Sequence, residues 1–325
     1  MTDFTRRAVL SGLSTFAVMP AFAETAWPSR QIMLVVGFAA GGPIDIVGRI
    51  IAQALATRLG QPMIVENKPG ASGTTAAGQI ARAQPDGYSL LMNSSTYSAS
   101  AALFHKLPFR PIEDFSMIST IVEFPYVLVT YSEHPVRTIA DLISAARSPS
   151  RNGPLTYGTS GIGSTQHLAV AQFAKIANIE LQHVPFRGGA PAITELLGKR
   201  LDFVADQPSA VIEIVREGRF RAIAVTGEKR FFSLPEVQTI SEAGFPGYVV
   251  TGWQGLVAPA NLPAEIVNRL RAELTNVLAD PAIVQQLRKF GNEPKLSTPD
   301  EFRSRLVAEI ERWSKVIAEA NIERI

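Results

Sequence analysis

The chain predicts a two-lobed α/β fold, each lobe a mostly parallel sheet with covering helices, the two joined by a two-strand hinge. Three observations lead there. Strand-like apolar runs alternate with helical segments along most of the 325 residues, the pattern of parallel sheets whose crossovers are helices. Two short glycine-rich stretches, Phe38-Ala39-Ala40-Gly41-Gly42-Pro43 and Thr159-Ser160-Gly161-Ile162-Gly163-Ser164, each stand between such a run and an amphipathic helix. The order of segments also takes the chain out of one lobe, through a second and back, and two crossings make a hinge.

The N-terminus is read before the fold. Arg6 and Arg7 precede an uncharged stretch, Ala8 to Met19, and then Ala21-Phe22-Ala23, an A-x-A cleavage pattern. Residues 1–23 read as an export signal, with a periplasmic mature chain beginning at Glu24. Thr5-Arg6-Arg7-Ala8-Val9-Leu10 fits a twin-arginine signal as well as an ordinary basic leader, so the export route stays open. No later stretch reaches about 18 uninterrupted apolar residues, and the mature chain is expected to be soluble.

Lobe one is assigned residues 24–126 and 228–325, lobe two residues 127–227. Ile32 to Phe38 is an almost unbroken apolar run, as in a strand buried on both faces. The helix after it starts with Pro43, suited to the first helical position, and carries Ile44, Val47, Ile51 and Leu55 at helical spacing up to Gly60. A strand from Met63 to Glu66 follows, then glycine-rich Lys68 to Gly73 and a helix through Ala83. Pro85-Asp86-Gly87 is a turn, Tyr88 to Met92 a strand, and Asn93 to Ser100 a hydroxyl-rich loop able to supply neutral donors. Tyr126 to Tyr131 is the crossing strand.

Lobe two repeats the logic. A strand from Leu155 leads into the second glycine stretch, and the helix Thr165 to Ile176 turns Leu168, Ala171, Phe173 and Ile176 to the core. A strand to Val184, a loop from Pro185, a helix to Leu197, the strand Leu201 to Ala205 and a helix from Pro208 to Arg216 come next. Arg221 to Thr226 is the returning strand. One more strand surrounds Trp253, and three helices begin at Pro263, Pro281 and Pro299.

Composition excludes several functions. A net charge of +2 is too small for a nucleic-acid footprint, so no nucleic-acid partner is expected. With no cysteine there is no disulfide, thiolate nucleophile or Cys-ligated zinc. The four histidines, His105, His134, His167 and His183, include no i, i+4 pair, and no metal, cofactor or catalytic motif is found. The glycines at 158–163 do not read G-x-G-x-x-G.

The two glycine stretches look like anion cradles. A helix start carries free N–H groups and partial positive charge, and glycine lets a ligand approach that backbone. The candidate ligand-binding residues are therefore Phe38, Ala40, Gly41, Gly42, Asp45, Asn93, Ser94, Ser95, Ser160, Gly161, Gly163, Ser164, Thr165, His167 and Asp206. Asp45 either caps its helix or meets a ligand ammonium or hydroxyl; Asp206, ending a strand, either contacts ligand or stabilises lobe closure. Arg187 reads as solvated and Trp253 as core more than cleft wall. Ser160 or Ser164 with His167 would make a hydrolytic pair, against the plainer reading of a helix cap followed by a first-turn histidine.

Together these residues resemble the substrate-binding receptors of tripartite tricarboxylate transporters, the family first known as Bordetella uptake proteins. Matching segments include Gly41-Gly42-Pro43-Ile44-Asp45, Val65 to Ala71, Pro85-Asp86-Gly87-Tyr88, Gly161-Ile162-Gly163-Ser164 followed by His167, Val184 to Gly188, and Trp253-Gln254-Gly255-Leu256. The resemblance covers essentially the whole mature chain. It implies a periplasmic binding protein of type II-like architecture in which two loops, Phe38 to Asp45 and Ser160 to Ser164, hold a ligand carboxylate through backbone groups, hydroxyls and waters. It also implies a large and a small integral membrane subunit as partners. The family pattern has prolines where this chain has Ala39 and Ala40, and Gly-Thr-Pro where it has Asn261-Leu262-Pro263. The expectation is a monomeric receptor that captures a small organic acid by closing, without catalysis; the alternatives are an exported hydrolase or a sensory ligand-binding module.

Overall fold

A computed structural model describes residues 27–148 and 153–325, and the expected export signal lies outside them. The chain forms β1 (Ile32–Val36), α1 (Pro43–Leu59), β2 (Met63–Asn67), α2 (Thr74–Ile80), β3 (Ser89–Ser94), α3 (Ser95–Leu103) and β4 (Phe115–Pro125). It then builds β5 (Val127–Tyr131), α4 (Ile139–Ala146), β6 (Leu155–Thr159), α5 (Thr165–Ala177), β7 (Leu181–Pro185), α6 (Gly189–Leu197), β8 (Phe203–Asp206), α7 (Pro208–Arg216) and β9 (Phe220–Val225). The returning segment adds β10 (Thr251–Pro259), α8 (Ala264–Ala279), α9 (Pro281–Lys289), β11 (Glu293–Pro294) and α10 (Pro299–Glu319).

The strands sort into two sheets, ordered β11-β4-β10-β3-β1-β2 and β7-β6-β8-β5-β9. Both are mixed. Parallel pairing joins β1 to β2 and β3, and β6 to β7 and β8. Among the described residues every antiparallel strand pairing involves β5, which follows the crossing, or β10 and β11, which the chain adds after returning. The topology of a chain that enters and leaves each sheet therefore adds an antiparallel half to the parallel half that the strand–helix alternation predicts.

Helix α1 shows how pattern becomes packing. Ile44, Val47, Ile51 and Leu55 are all buried against β1 and β3, each such side chain stabilising the fold by roughly 1.5–3 kcal/mol. Gly60, left-handed at φ 71°, ends the helix with its N–H on the Ala56 carbonyl. In α5 Leu168 and Phe173 are buried as expected, with Ala169, Val170 and Ala177 beside them; Ala171 is half-buried, and Ile176, expected in the core, is 52% exposed because it sits about 100° around the helix from Ala177.

The segment expected as a hydroxyl-rich loop is ordered differently. Asn93 and Ser94 finish β3, and Ser95–Leu103 is helix, with Ser98 Oγ donating back to the Ser95 carbonyl at 2.7 Å and Tyr97 and Ala99 buried. A serine whose hydroxyl bonds back into its own turn is compatible with helix.

The crossings lie side by side. Tyr126 N–H donates to Thr226 Oγ1 and Thr226 N–H to the Tyr126 carbonyl, both at 2.9 Å. Thr226 Oγ1 in turn donates to the Val250 carbonyl at 2.6 Å. Beside this ribbon one apolar cluster spans both sheets' helices: Ala99, Ala102 and Leu103 of α3, Leu168 and Phe173 of α5, and Trp313 and Ile317 of α10.

Candidate functional site

The first glycine loop leaves the C-terminal end of β1 and enters α1. Ala39, Ala40 and Gly41 are exposed, while Phe38 and Gly42 are half-buried. Asp45, 2% exposed, ties this loop from behind. Its Oδ2 accepts from Gly41 N–H at 2.8 Å and Arg49 Nε at 2.9 Å, and its Oδ1 from Asn67 Nδ2 at 2.8 Å. The same Asn67 amide donates to the Phe38 carbonyl at 3.1 Å, and its Oδ1 accepts from Arg49 Nη2. Burial pushes the Asp45 carboxyl up, but bonds from Arg49, Gly41 and Asn67 outweigh it and hold the group below the usual carboxylate range. In this arrangement Asp45 sets the shape of the loop, and its oxygens are occupied within the protein.

Behind Phe38 lies a recess that Asn93, Ser94 and Tyr97 also line, together with Ser72 and Gly73. Ala71, Ser72 and Gly73 have φ of 43°, 54° and 88°, a left-handed run that is costly for the two residues with side chains. In sequence Lys68 to Gly73 is simply glycine-rich, with no signal that gives Ser72 a site role; the strain in its backbone becomes visible only in three dimensions.

The second glycine loop leaves β6 and enters α5. Ser164 is the N-cap: its Oγ accepts from His167 N–H at 3.2 Å and donates to the Gly161 carbonyl at 2.8 Å. Gly163 N–H donates to His167 Nδ1 at 3.2 Å. Gly163 also has φ 70°, and a Cβ built there would lie 2.3 Å from Leu103 Cδ2, so α3 packs directly on this loop. His167 stacks on His183 with ring centroids 3.8 Å apart, and His183 Nε2 meets Thr159 Oγ1 at 2.7 Å. Burial drives His167 down to about 4 and, with His167 beside it, His183 down to about 3, so both are neutral near pH 7.

Neither serine is placed to act as a nucleophile with His167. Ser164 meets the histidine through its backbone N–H, and Ser160 Oγ donates to Gln166 Oε1 at 3.2 Å. Gln166 Nε2 donates to Asp206 Oδ1 at 3.2 Å, and Gln207 N–H to the same oxygen at 2.8 Å. Among the described residues Asp206 Oδ2 has no partner, and it lies 2.1 Å from where a Cβ on Gly189 would stand. Burial raises this carboxyl to about 6 against the lowering effect of the Gln207 and Gln166 donors.

Ser95 and Thr165, from the two sheets' separate helices, meet: Thr165 Oγ1 donates to Ser95 Oγ at 3.4 Å, and Ser95 Oγ lies 3.0 Å from Tyr126 Oη. The expected residues thus fall into two groups. Phe38, Ala40, Gly41, Gly42, Ser94, Ser160 and Gly161 keep accessible surface, whereas Asp45, Asn93, Ser95, Gly163, Ser164, Thr165, His167 and Asp206 are buried behind them. Trp253 is core, its Nε1 on Glu309 at 2.9 Å and its ring edge-on to Phe302. Gln254, which no sequence motif marks as a polar centre, is fully buried beside Ser94, and both its amide atoms lack a partner among the described residues.

A family model described as the tripartite tricarboxylate transporter family receptor matches residues 47–322. The chain belongs to this receptor family. Solved relatives agree with the assignment across nearly the full length. The R. palustris protein Rpa4515, solved with adipate, is 35% identical with a TM-score of 0.85, covering 92% of this chain and 100% of its own. MatC of Rhodopseudomonas palustris, solved with bound malate, is 32% identical with a TM-score of 0.80, covering 90% and 100%. The periplasmic binding protein BugD is 31% identical with a TM-score of 0.82, covering 92% and 100%. As a member of the tripartite tricarboxylate transporter receptors, the protein is a periplasmic substrate-binding receptor and not an enzyme.

Proposed function

We propose that this receptor captures a small carboxylate between the loops Phe38 to Asp45 and Ser160 to Ser164 and delivers it to a large and a small integral membrane subunit. One observation carries the reading. Each loop runs from the C-terminal end of a parallel strand into the start of a buried helix, on two sheets joined by the paired crossings. The first-turn amides of Ile44 and Asp45, and of Thr165 and Gln166, have no acceptor within their own helices and suit an anion. The adipate and malate of two relatives support a carboxylate as the ligand class.

In this reading residues 24–126 with 228–325 form one lobe and 127–227 the other, and they close by bending at Pro125 to Val127 and Val225 to Gly227. Export removes residues 1–23, and the monomer works alone until it meets its transporter. Each hydrogen bond to a charged acceptor contributes roughly 1.5–3 kcal/mol. Micromolar affinity needs only about 8 kcal/mol, so neutral dipoles suffice. Calorimetry against monocarboxylates, dicarboxylates, amino acids and aromatic acids tests this. Saturable binding of at least one acid is expected; binding of a sugar or a cation with no binding by any acid overturns it.

A further inference from the structure

The buried chain Ser160–Gln166–Asp206 has a definite direction. Asp206 Oδ1 accepts Gln207 N–H at 2.8 Å, which makes it an acceptor and turns the Nε2 of Gln166 toward it at 3.2 Å. Gln166 Oε1 must then face Ser160, and it accepts that hydroxyl at 3.2 Å. Gln166 and Asp206 are 2% and 3% exposed, so water does not compete for either bond. The Ser160 backbone carbonyl is also taken, by Gly188 N–H at 3.3 Å. Ser160 has one hydroxyl hydrogen, and it is committed inward; what its half-buried side chain offers outward is lone pairs.

We propose that Asp206, acting through Gln166, fixes Ser160 as a hydrogen-bond acceptor, and that the site thereby selects carboxylates bearing a hydroxyl or ammonium donor next to the carboxylate. This rests on the carboxylate reading above and adds a preference within it. A bare carboxylate brought up to Ser160 would set oxygen lone pairs against oxygen lone pairs. An acid substituted at the adjacent carbon donates to Ser160 while its carboxylate takes the first-turn amides. Ser160 is the contact residue here, and Gln166 and Asp206 are positioning residues. The unpartnered Asp206 Oδ2, held against Gly189, leaves Oδ1 as the oxygen that carries the chain.

Calorimetry with two matched pairs, malate against succinate and 2-hydroxyadipate against adipate, plus 2-aminoadipate, reads this preference directly. The wild-type protein should favour the substituted member of whichever pair it binds by about tenfold, the worth of one charge-assisted or well-placed hydrogen bond. Ser160→Ala and Gln166→Leu should bring the ratio of substituted to unsubstituted acid to about one. Asp206→Asn keeps an acceptor at Oδ1 and should retain the ratio, whereas Asp206→Ala should lose it. Melting curves identify any variant that fails to fold, and Ser160→Ala, at a half-buried loop position, keeps the test open in that event. Equal binding of both members by wild type, or an unchanged ratio in Gln166→Leu, overturns the inference and leaves the carboxylate site standing. Failure of all five acids to bind, with the wider panel also silent, instead removes the carboxylate reading and this one with it.

Discussion

Replacing Asp45 by asparagine changes almost no volume but asks one atom to do what it cannot. Oδ2 accepts from Gly41 and Arg49 while Oδ1 accepts from Asn67. An asparagine oriented to keep the first two bonds points its NH2 at the NH2 of Asn67. Flipping Asn67 to relieve that clash breaks its bonds to the Phe38 carbonyl and from Arg49 Nη2. Either way the loop forfeits charge-assisted bonds worth roughly 1.5–3 kcal/mol each and leaves a buried donor unpaired, so Asp45→Asn should cost about 2–4 kcal/mol. For a protein of this size that is a fall in Tm of roughly 3–6 °C. Ligand affinity should drop as well, because the Gly41 turn loses its anchor. The pH dependence has a fixed sign: a carboxyl held below its ordinary 3.8 contributes stability that is present above that value and lost as pH falls through the lowered one. Thermal melts at neutral pH and down an acid series check both points. An Asn variant within about 0.5 kcal/mol of wild type would refute the idea that Asp45 holds the loop.

Gly163→Ala combines a left-handed backbone with a clash on Leu103 and should destabilise by about 2–4 kcal/mol, with partial recovery in the Leu103→Ala background, read by urea melts. Since His167 and His183 are held neutral, with folded values near 4 and 3 against an ordinary 6.5, the unfolded chain binds more protons below pH 6.5 and stability falls with acidification. Between pH 7 and 5 each contributes a loss of about 2 kcal/mol, partly offset by Asp206, which is raised to about 6 and gains stability as it protonates. Melts at pH 7 and 5 should show the net loss, and His167→Asn with His183→Gln should flatten it. Thr226→Val removes a hydroxyl that joins Tyr126 to Val250 and should cost about 1–3 kcal/mol by thermal melt. Sequencing the N-terminus of exported protein should find Glu24; retention of residues 1–23 would refute the cleavage assignment.

Much of this was legible because local chemistry punctuates the chain. Pro43, Pro208, Pro281 and Pro299 each open a helix, and both glycine loops fall where a strand gives way to a helix. The longest strand, β4, gave no such signal: its residues are buried almost throughout, so no alternation marks it, and its partner β10 arrives from more than a hundred residues away. Side-chain roles were the least legible. Asp45, Ser164 and His167 stand at the positions expected of a ligand site, yet the hydrogen bonds they make are settled by Asn67, Gly161 and Gly163, and no spacing rule reports those pairings. Gln254 is a polar residue whose burial depends on which strands flank it, and that is a property of sheet order.

The mutual bonds of Tyr126 and Thr226 have a mechanical consequence. Two strands stitched to each other behave as one flat strap, which flexes readily about the axis across its face but resists sliding of one edge past the other. In the proposed closure, relative motion of the two sheets would thereby be reduced to nearly one angular coordinate. A pair of dyes, one on each sheet's outer helices, would follow that coordinate as a single distance, and removing the side-chain half of the stitch with Thr226→Val, which keeps the Thr226 N–H on the Tyr126 carbonyl, should broaden the distance distribution without shifting its mean.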